Sequence, residues 1–279
     1  MNFKHSNLQL VHVTLRVATV MLFAGRAWQH LFWDAPFRAL LWDEKLMEGI
    51  VTFFLGGTWQ DYVTSEASDR LIQSVITGFG IFYALMAAVT LVARGRMLSG
   101  LSWLYYLSSL SLMFLAGLYA KEKFHHVGQF FEYTIQFLLP LFFLYALTGR
   151  IKMHRLLLSM KIAIALTFTA HGLYAMGVYP LPGVYTDMLI STIGVTETTA
   201  RQMLLVAGAL DFVISICLFI PRVDKYALLY AVVWGGLTAV ARTWGFFFPE
   251  FPLESLHQNL YETLIRMPHM LVPLAAMHK

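Results

Sequence analysis

Apolar runs of around twenty residues recur along the whole chain. A run of that length crosses the hydrocarbon of a bilayer as a helix, and repeated runs specify a polytopic helical membrane protein. Composition agrees: 58% of residues are hydrophobic and 13% charged, against roughly 45–50% and 25% in soluble domains. The expected spans are 10–33, 71–93, 97–119, 127–148, 155–177, 202–220, 226–247 and 257–277. The first is too long for the apolar part of a secretory signal and lacks a small-residue cleavage site, so it reads as a membrane helix. The expected fold class is an all-α membrane helical bundle of about eight spans.

The spans fall into two sets of four, residues 1–150 and 151–279. In each set a first helix is followed by a long loop (34–70 and 178–201) and then by three helices with shorter links. At an offset of 145 residues Arg16 falls on Lys161, Ala18 on Ala163, Phe23 on Phe168 and Arg26 on His171. At an offset of 130, Glu132-Tyr133-Thr134-Ile135 falls on Glu262-Thr263-Leu264-Ile265. Four helices per unit make the repeats parallel, related by an axis near the membrane normal.

Loop charge sets the expected topology. One side carries Lys4, Arg94, Arg96, Arg150, Lys152, Arg155, Arg222, Lys225 and Lys279 against Asp224. The other carries twelve acids against Arg38, Lys45, Arg70, Lys121, Lys123 and Arg201. The positive-inside rule then puts both termini in the cytoplasm and the long loops outside, as in a bacterial inner membrane. The lipid bilayer is the expected partner. The net charge of +4 comes from Lys and Arg residues most of which sit in those loops, where they set topology, and it does not point to nucleic acid. The single Cys217 rules out an intrachain disulfide, a CxxC pair and a thiolate zinc site. No Walker loop, GxGxxG, GxSxG or HExxH occurs, so nucleotide-binding and zincin chemistry are not indicated.

Polar residues inside the spans are the pointer to function, because ionisable groups in hydrocarbon cost about 2.5–3.5 kcal/mol each on insertion scales. Arg16, Thr19, Phe23, Arg26 and His30 recur at helical spacing on the first span; His125, Gln129, Glu132 and Gln136 on the fourth; Tyr230, Trp234, Thr238 and Arg242 on the seventh; Gln258, Glu262, Arg266 and His269 on the eighth. Side chains at such spacing share one helix face. Arg26, His30, His126, Glu132, His171, Arg242 and Glu262 lie toward the same end of their spans, which predicts a polar pocket open to the extracytoplasmic side. Arg16 and Lys161 sit near the opposite interface, where long cations snorkel. Asp211 is expected to meet a neighbouring arginine or to take part in proton linkage.

Such a pocket suits several chemistries. An isoprenoid quinone needs donors to its carbonyls and a group that moves protons, which histidine and carboxylate supply. Glu132, His171 and Glu262 are the candidate catalytic groups, and Arg26, His30, His126, Gln136, Arg242 and Arg266 the candidate ligand-binding groups. Trp28, Trp33, Trp234, Phe130 and Phe131 are candidates to pack a ring or tail. Haem would need two facing histidines, and His30 and His171 are not obviously paired. His125 and His126 point to different sides of a helix, which disfavours a metal site, and none is expected. An excess of arginines would also suit a carrier of a small anionic solute. Equally, Arg–Glu pairs such as Glu262 with Arg266, one turn apart, would simply brace a bundle.

The segments Leu15-Arg16-Val17-Ala18 through Phe23-Ala24-Gly25-Arg26, and Lys161-Ile162-Ala163 through His171-Gly172, resemble the start of DoxX/DoxD-like membrane proteins. On that resemblance the chain looks like two fused units covering nearly its whole length. A weaker likeness runs to the transmembrane part of vitamin K-dependent carboxylase-like proteins. The DoxX resemblance implies a quinone-linked role, or a place beside other subunits of a membrane redox complex. With one cysteine, any sulfur-handling step would belong to a partner.

Overall fold

The computed structural model describes residues 3–278, with side chains from Leu8 onward except that of Arg96; the side chains of Lys4, Arg96 and Lys279, counted above, lie outside the described residues. The fold is all-helical, 82% helix without strands among the described residues. The helices are α1 (Phe3–Phe32), α2 (Arg38–Leu41), α3 (Glu44–Leu55), α4 (Trp59–Thr64), α5 (Glu66–Val92), α6 (Gly95–Gly100), α7 (Ser102–Glu122), α8 (Val127–Glu132), α9 (Thr134–Thr148), α10 (Met153–Ala175), α11 (Gly183–Ile193), α12 (Glu197–Cys217), α13 (Asp224–Trp244), α14 (Pro252–Arg266) and α15 (Pro268–Met277).

Among the described residues six segments are long and apolar enough to cross a membrane: Leu8–Phe32, Glu66–Val92, Ser102–Glu122, Val127–Thr148, Met153–Ala175 and Glu197–Cys217. Their outward faces carry exposed apolar residues, such as Leu85 and Leu91 on α5 and Val206 and Ile216 on α12, as a lipid-facing surface requires. These features point to an integral membrane protein. These six correspond to the first six of the eight expected spans; the segments expected as the seventh and eighth are helical but more polar. Helix α13 carries Asp224, Lys225 and Arg242, and α14 carries Glu254, His257, Gln258, Asn259, Glu262 and Arg266.

Helix boundaries differ from expectation where first turns are polar. Helices α5 and α12 begin earlier, because Ser65 and Thr196 cap them through side-chain oxygens and acids fill their first turns, which complements the helix dipole. The fourth span divides at Tyr133 although no proline lies there. The Thr167 hydroxyl of α10 enters the ladder, accepting from the Ile135 amide at 3.2 Å and reaching the Phe131 carbonyl at 3.5 Å. Inserted side chains of this kind break helices. The eighth span divides at Met267, where Pro268 removes a donor.

Helix α1 packs against α5, and also against α14 and α15; α10 packs against α12, and also against α8 and α9. Glycines allow close approach in both of the main pairings. A Cβ on Gly80 would lie 2.9 Å from Leu31 and 3.1 Å from His30. A Cβ on Gly208 would lie 2.7 Å from Met176 and 3.1 Å from Ala175. Leu31 and His30 precede Met176 and Ala175 by 145 positions, the offset of the sequence match.

With short connections and antiparallel neighbours, α2–α4 and α11 sit at one end of the bundle, called here the capped end. There Ala35 and Phe37 fill the cleft between α5 and α7 alongside Ile72, Ile76, Leu115 and Leu118. Arg38 pairs with Asp34 and Asp69 at 2.9 and 2.8 Å. Lys121 pairs with Asp43, holding the start of α3 to the end of α7. Away from that end, Arg16 donates to the Ala93 carbonyl at 2.6 Å, and Lys161 pairs with Asp224 at 2.8 Å. Both cations therefore secure helix ends rather than reaching out singly.

Candidate functional site

Phe37 fills the cleft between α5 and α7, whereas the space between α12 and α13 is a cavity of about 320 Å³. Helices α10 to α13 and α15 surround it, with α11 across the capped end. Its wall is mostly apolar, including Phe168, Met188, Leu204, Ala207 and Trp234. Polar side chains gather toward the capped end: His171, Tyr185, Arg242, Arg266 and His269. Asp211 borders it on α12, more than two turns of α13 away from Arg242, and accepts from the Tyr230 hydroxyl at 3.2 Å. The expected arginine partner for Asp211 is not there.

The polar end is held together by ion pairs that join separate helices. Arg266 Nη1 lies 2.6 Å from Glu132 Oε1, with Glu132 4% exposed. Gln129 Nε2 donates to the other oxygen of Glu132 at 2.9 Å. Arg242 pairs with Glu262 at 2.7 Å. Arg266 is thus matched with Glu132 of another helix instead of Glu262 one turn back. His171 stands between: its Nε2 is 3.4 Å from Arg266 Nη1, and its Nδ1 is 3.3 Å from the Tyr185 hydroxyl. An arginine only donates, so His171 Nε2 accepts and the ring is neutral in this arrangement. Nδ1 then carries the proton and donates to the Tyr185 oxygen; burial raises the Tyr185 phenol pKa, with Glu132 adding to the effect, so Tyr185 stays neutral and its own O–H points elsewhere. His269 Nδ1 lies 2.9 Å from the Arg266 carbonyl. A carbonyl only accepts, so Nδ1 carries the proton and Nε2 has an open lone pair; that buried Nε2 has no hydrogen-bond partner among the described residues.

A second polar cluster lies in the first half. Arg26 is 2% exposed. It donates to Gln29 at 2.8 Å, to Tyr119 at 3.3 Å and to Gln136 at 2.6 Å. The rings of Tyr119 and Tyr133 stand 5.5 and 5.3 Å from its guanidinium. No carboxylate of the described residues pairs with it. These contacts therefore set three guanidiniums, Arg26, Arg242 and Arg266, against two carboxylates, the buried Glu132 and the 38% exposed Glu262.

The structure thus divides the expected site residues. His171, Arg242 and Arg266 border the cavity. Glu132 and Glu262 stand behind it as their partners. Arg26 and Gln136 form the separate cluster. His30 is fully buried against Phe37 and Tyr83, with Nδ1 2.7 Å from the Arg26 carbonyl. His126 stacks on Tyr179 with ring centres 4.6 Å apart. His30 and His171 thus occupy different surroundings, which does not fit an axial pair for haem. Among the described residues no group of three or more His, Cys, Asp or Glu is placed to hold a metal ion. Trp28 and Trp33 both contact His257 at the bundle surface, and only Trp234 of the expected aromatics borders the cavity. Tyr185 went unread in the sequence because its segment, taken there as part of the loop 178–201, shows no periodic polar face; the structure places it on α11.

Fold and site together describe a helical membrane protein with a mainly apolar, ligand-sized cavity that is polar at one end. Comparison with family models, curated proteins and solved structures gives no match.

Proposed function

We propose that this chain is a DoxX-like inner-membrane protein of eight spans, built from two four-helix units, whose cavity binds an isoprenoid quinone in a quinone-linked redox role. The observation that carries the reading is the cavity: apolar walls between α12 and α13 with polar groups gathered at one end. Ligand sites of this kind combine apolar lining with a few convergent polar groups. Arg242, Arg266 and Tyr185 supply donors for ring carbonyls. The free Nε2 of His269 accepts from a ring hydroxyl, and His171, between Tyr185 and Arg266, is placed to pass a proton. A bound quinone would supply the electron-carrying ring, with electrons delivered by another membrane redox subunit. The two-unit reading is supported by the matched approaches of Gly80 and Gly208 and by the reciprocal packing of α1 and α10. The charge asymmetry of the loops supports cytoplasmic termini and an extracytoplasmic capped end.

Native mass spectrometry and lipid extraction of the purified protein test the proposal. Quinone should co-purify, and His171→Ala and Arg242→Leu should lower its occupancy while folded yield is kept. Reproducible absence of quinone refutes it.

A second reading is non-enzymatic bracing. It draws on the placement of Glu132 and Glu262, which join helices without bordering the cavity. Under it, Glu132→Gln lowers folded yield and no variant changes a bound ligand. The excess of one guanidinium over the paired carboxylates favours a related reading, a carrier for a small anionic solute, for which solute uptake into vesicles is the test.

A further inference from the structure

A groove of about 420 Å³ lies on the face of α12 and α13. Leu189, Met203, Leu204, Ala207 and Trp234 border both this groove and the cavity, so the two are contiguous. The groove's far rim is formed by Val206, 61% exposed, and Leu210, 43% exposed. Both stand on the apolar outer face of a helix long enough to cross a membrane, the face that lipid covers. The cavity therefore communicates with the bilayer sideways, through a mostly apolar wall; His171, Arg242 and Arg266 line the cavity and not the groove, while Asp211 stands one turn from Ala207 on α12 and accepts from the groove-lining Tyr230.

The cavity alone, about 320 Å³, is at the lower end of the roughly 300–1,000 Å³ typical of ligand pockets. It has room for a substituted ring and not for a chain of several isoprene units as well. Water-soluble ligands have no need of an apolar groove leading into lipid. We infer that the occupant is a tailed amphiphile, with its ring head at the His171–Arg242–Arg266 end and its chain passing between α12 and α13, over Ala207, into the bilayer. The inference rests on the quinone reading and deepens it, because it assigns a separate place to the tail. Helix α12 provides the needed surface: Ala207 is the small residue at the junction, and Val206 and Leu210 flank the exit. In the other half Phe37, held by Phe79 at 5.0 Å between ring centres, fills the cleft between α5 and α7, so a tail has one route.

The test uses the full chain in nanodiscs of phosphatidylcholine and two probes: a dimethoxy-methyl-benzoquinone bearing a decyl chain, and the same ring without the chain. Ala207→Trp places an indole across the junction. It should weaken the decyl compound about tenfold, what a misfit of this size costs, and leave the bare ring within about twofold. Val206→Trp, on the exposed rim and outside the packed core, should act in the same direction and keeps the test valid if the Ala207 variant fails to fold. Val213→Trp, equally exposed on α12 but outside the groove, should change neither. If both probes bind wild type and neither groove variant discriminates between them, the tail does not pass this way and the inference falls while the quinone reading stands. If neither probe binds wild type, the quinone reading falls and takes this inference with it.

Discussion

Replacing Arg266 by methionine leaves Glu132 a buried carboxylate with Gln129 at 2.9 Å and the His171 Nδ1 farther off at 3.7 Å. The pair it breaks is direct, 2.6 Å between Arg266 Nη1 and Glu132 Oε1, with side-chain exposures of 15% and 4%. Unit charges about 4 Å apart attract by about 4 kcal/mol at an effective dielectric of about 20. Removing one partner of such a buried pair typically costs about 3–5 kcal/mol, because the other charge is left uncompensated. Arg266→Met should therefore destabilise the fold by about that amount. Glu132→Gln keeps an acceptor facing Arg266 and exchanges a charge-assisted bond for a neutral one, a loss of about 1–2 kcal/mol, with a further penalty for the unbalanced guanidinium. The double variant has no unpaired charge. It should be more stable than the sum of the single losses by about 2 kcal/mol or more. Reversible unfolding in mixed micelles, followed by tryptophan fluorescence, gives the four free energies of the cycle. Additivity within about 0.5 kcal/mol would refute the coupling and show that the contact does not hold the two halves together.

Three further outcomes are expected. Gly208→Ala drives a Cβ to within 2.7 Å of Met176 and 3.0 Å of the Gly172 carbonyl, so it should cost about 1–3 kcal/mol; Gly78→Ala, with open space around it, should be neutral or stabilising in the same unfolding assay. Tyr185→Phe removes the hydroxyl beside His171 and should reduce quinone occupancy less than His171→Ala does, read by lipid extraction. The Asp43 carboxyl is held below its ordinary pKa chiefly by the bond from Lys121. A depressed carboxylate contributes fully above the unfolded value of about 3.9 and loses its contribution as pH falls through the lower folded value. Hydrogen exchange in α3, corrected for intrinsic rates, should therefore be constant from about pH 7 to 5 and accelerate below about pH 4, and Lys121→Met should abolish the step.

Much of the architecture was legible in apolar run length, since hydrocarbon thickness dictates it. The polar seams were legible too, because helical spacing puts Arg26 or His171 on a definable face. Pairing was not. Glu262 and Arg266 sit one turn apart, yet Arg266 turns to Glu132 and Arg242 takes Glu262, choices made by helices far apart in sequence. The division of the fourth span at Tyr133 has no local signal, since its cause, Thr167, belongs to another helix. The early starts of α5 and α12 were hidden by their polar first turns, which read as loop on hydropathy alone. The cavity depends on what fills each cleft: Phe37 does so between α5 and α7, and no residue-by-residue reading reveals that α11 leaves the other cleft open.

The pairings also impose an order on biosynthesis. Arg26 is satisfied by Gln29, Tyr119 and Gln136, all made within the first half of the chain. Glu132 has Gln129 at once, but Arg266 lies 134 residues downstream, which is about 7–27 s of synthesis at about 5–20 residues per second. For that interval the first half resides in the membrane with its cation settled and its carboxylate waiting. Arrival of α14 both supplies the missing guanidinium and covers the waiting face of α1, so a single late event completes charge and packing together.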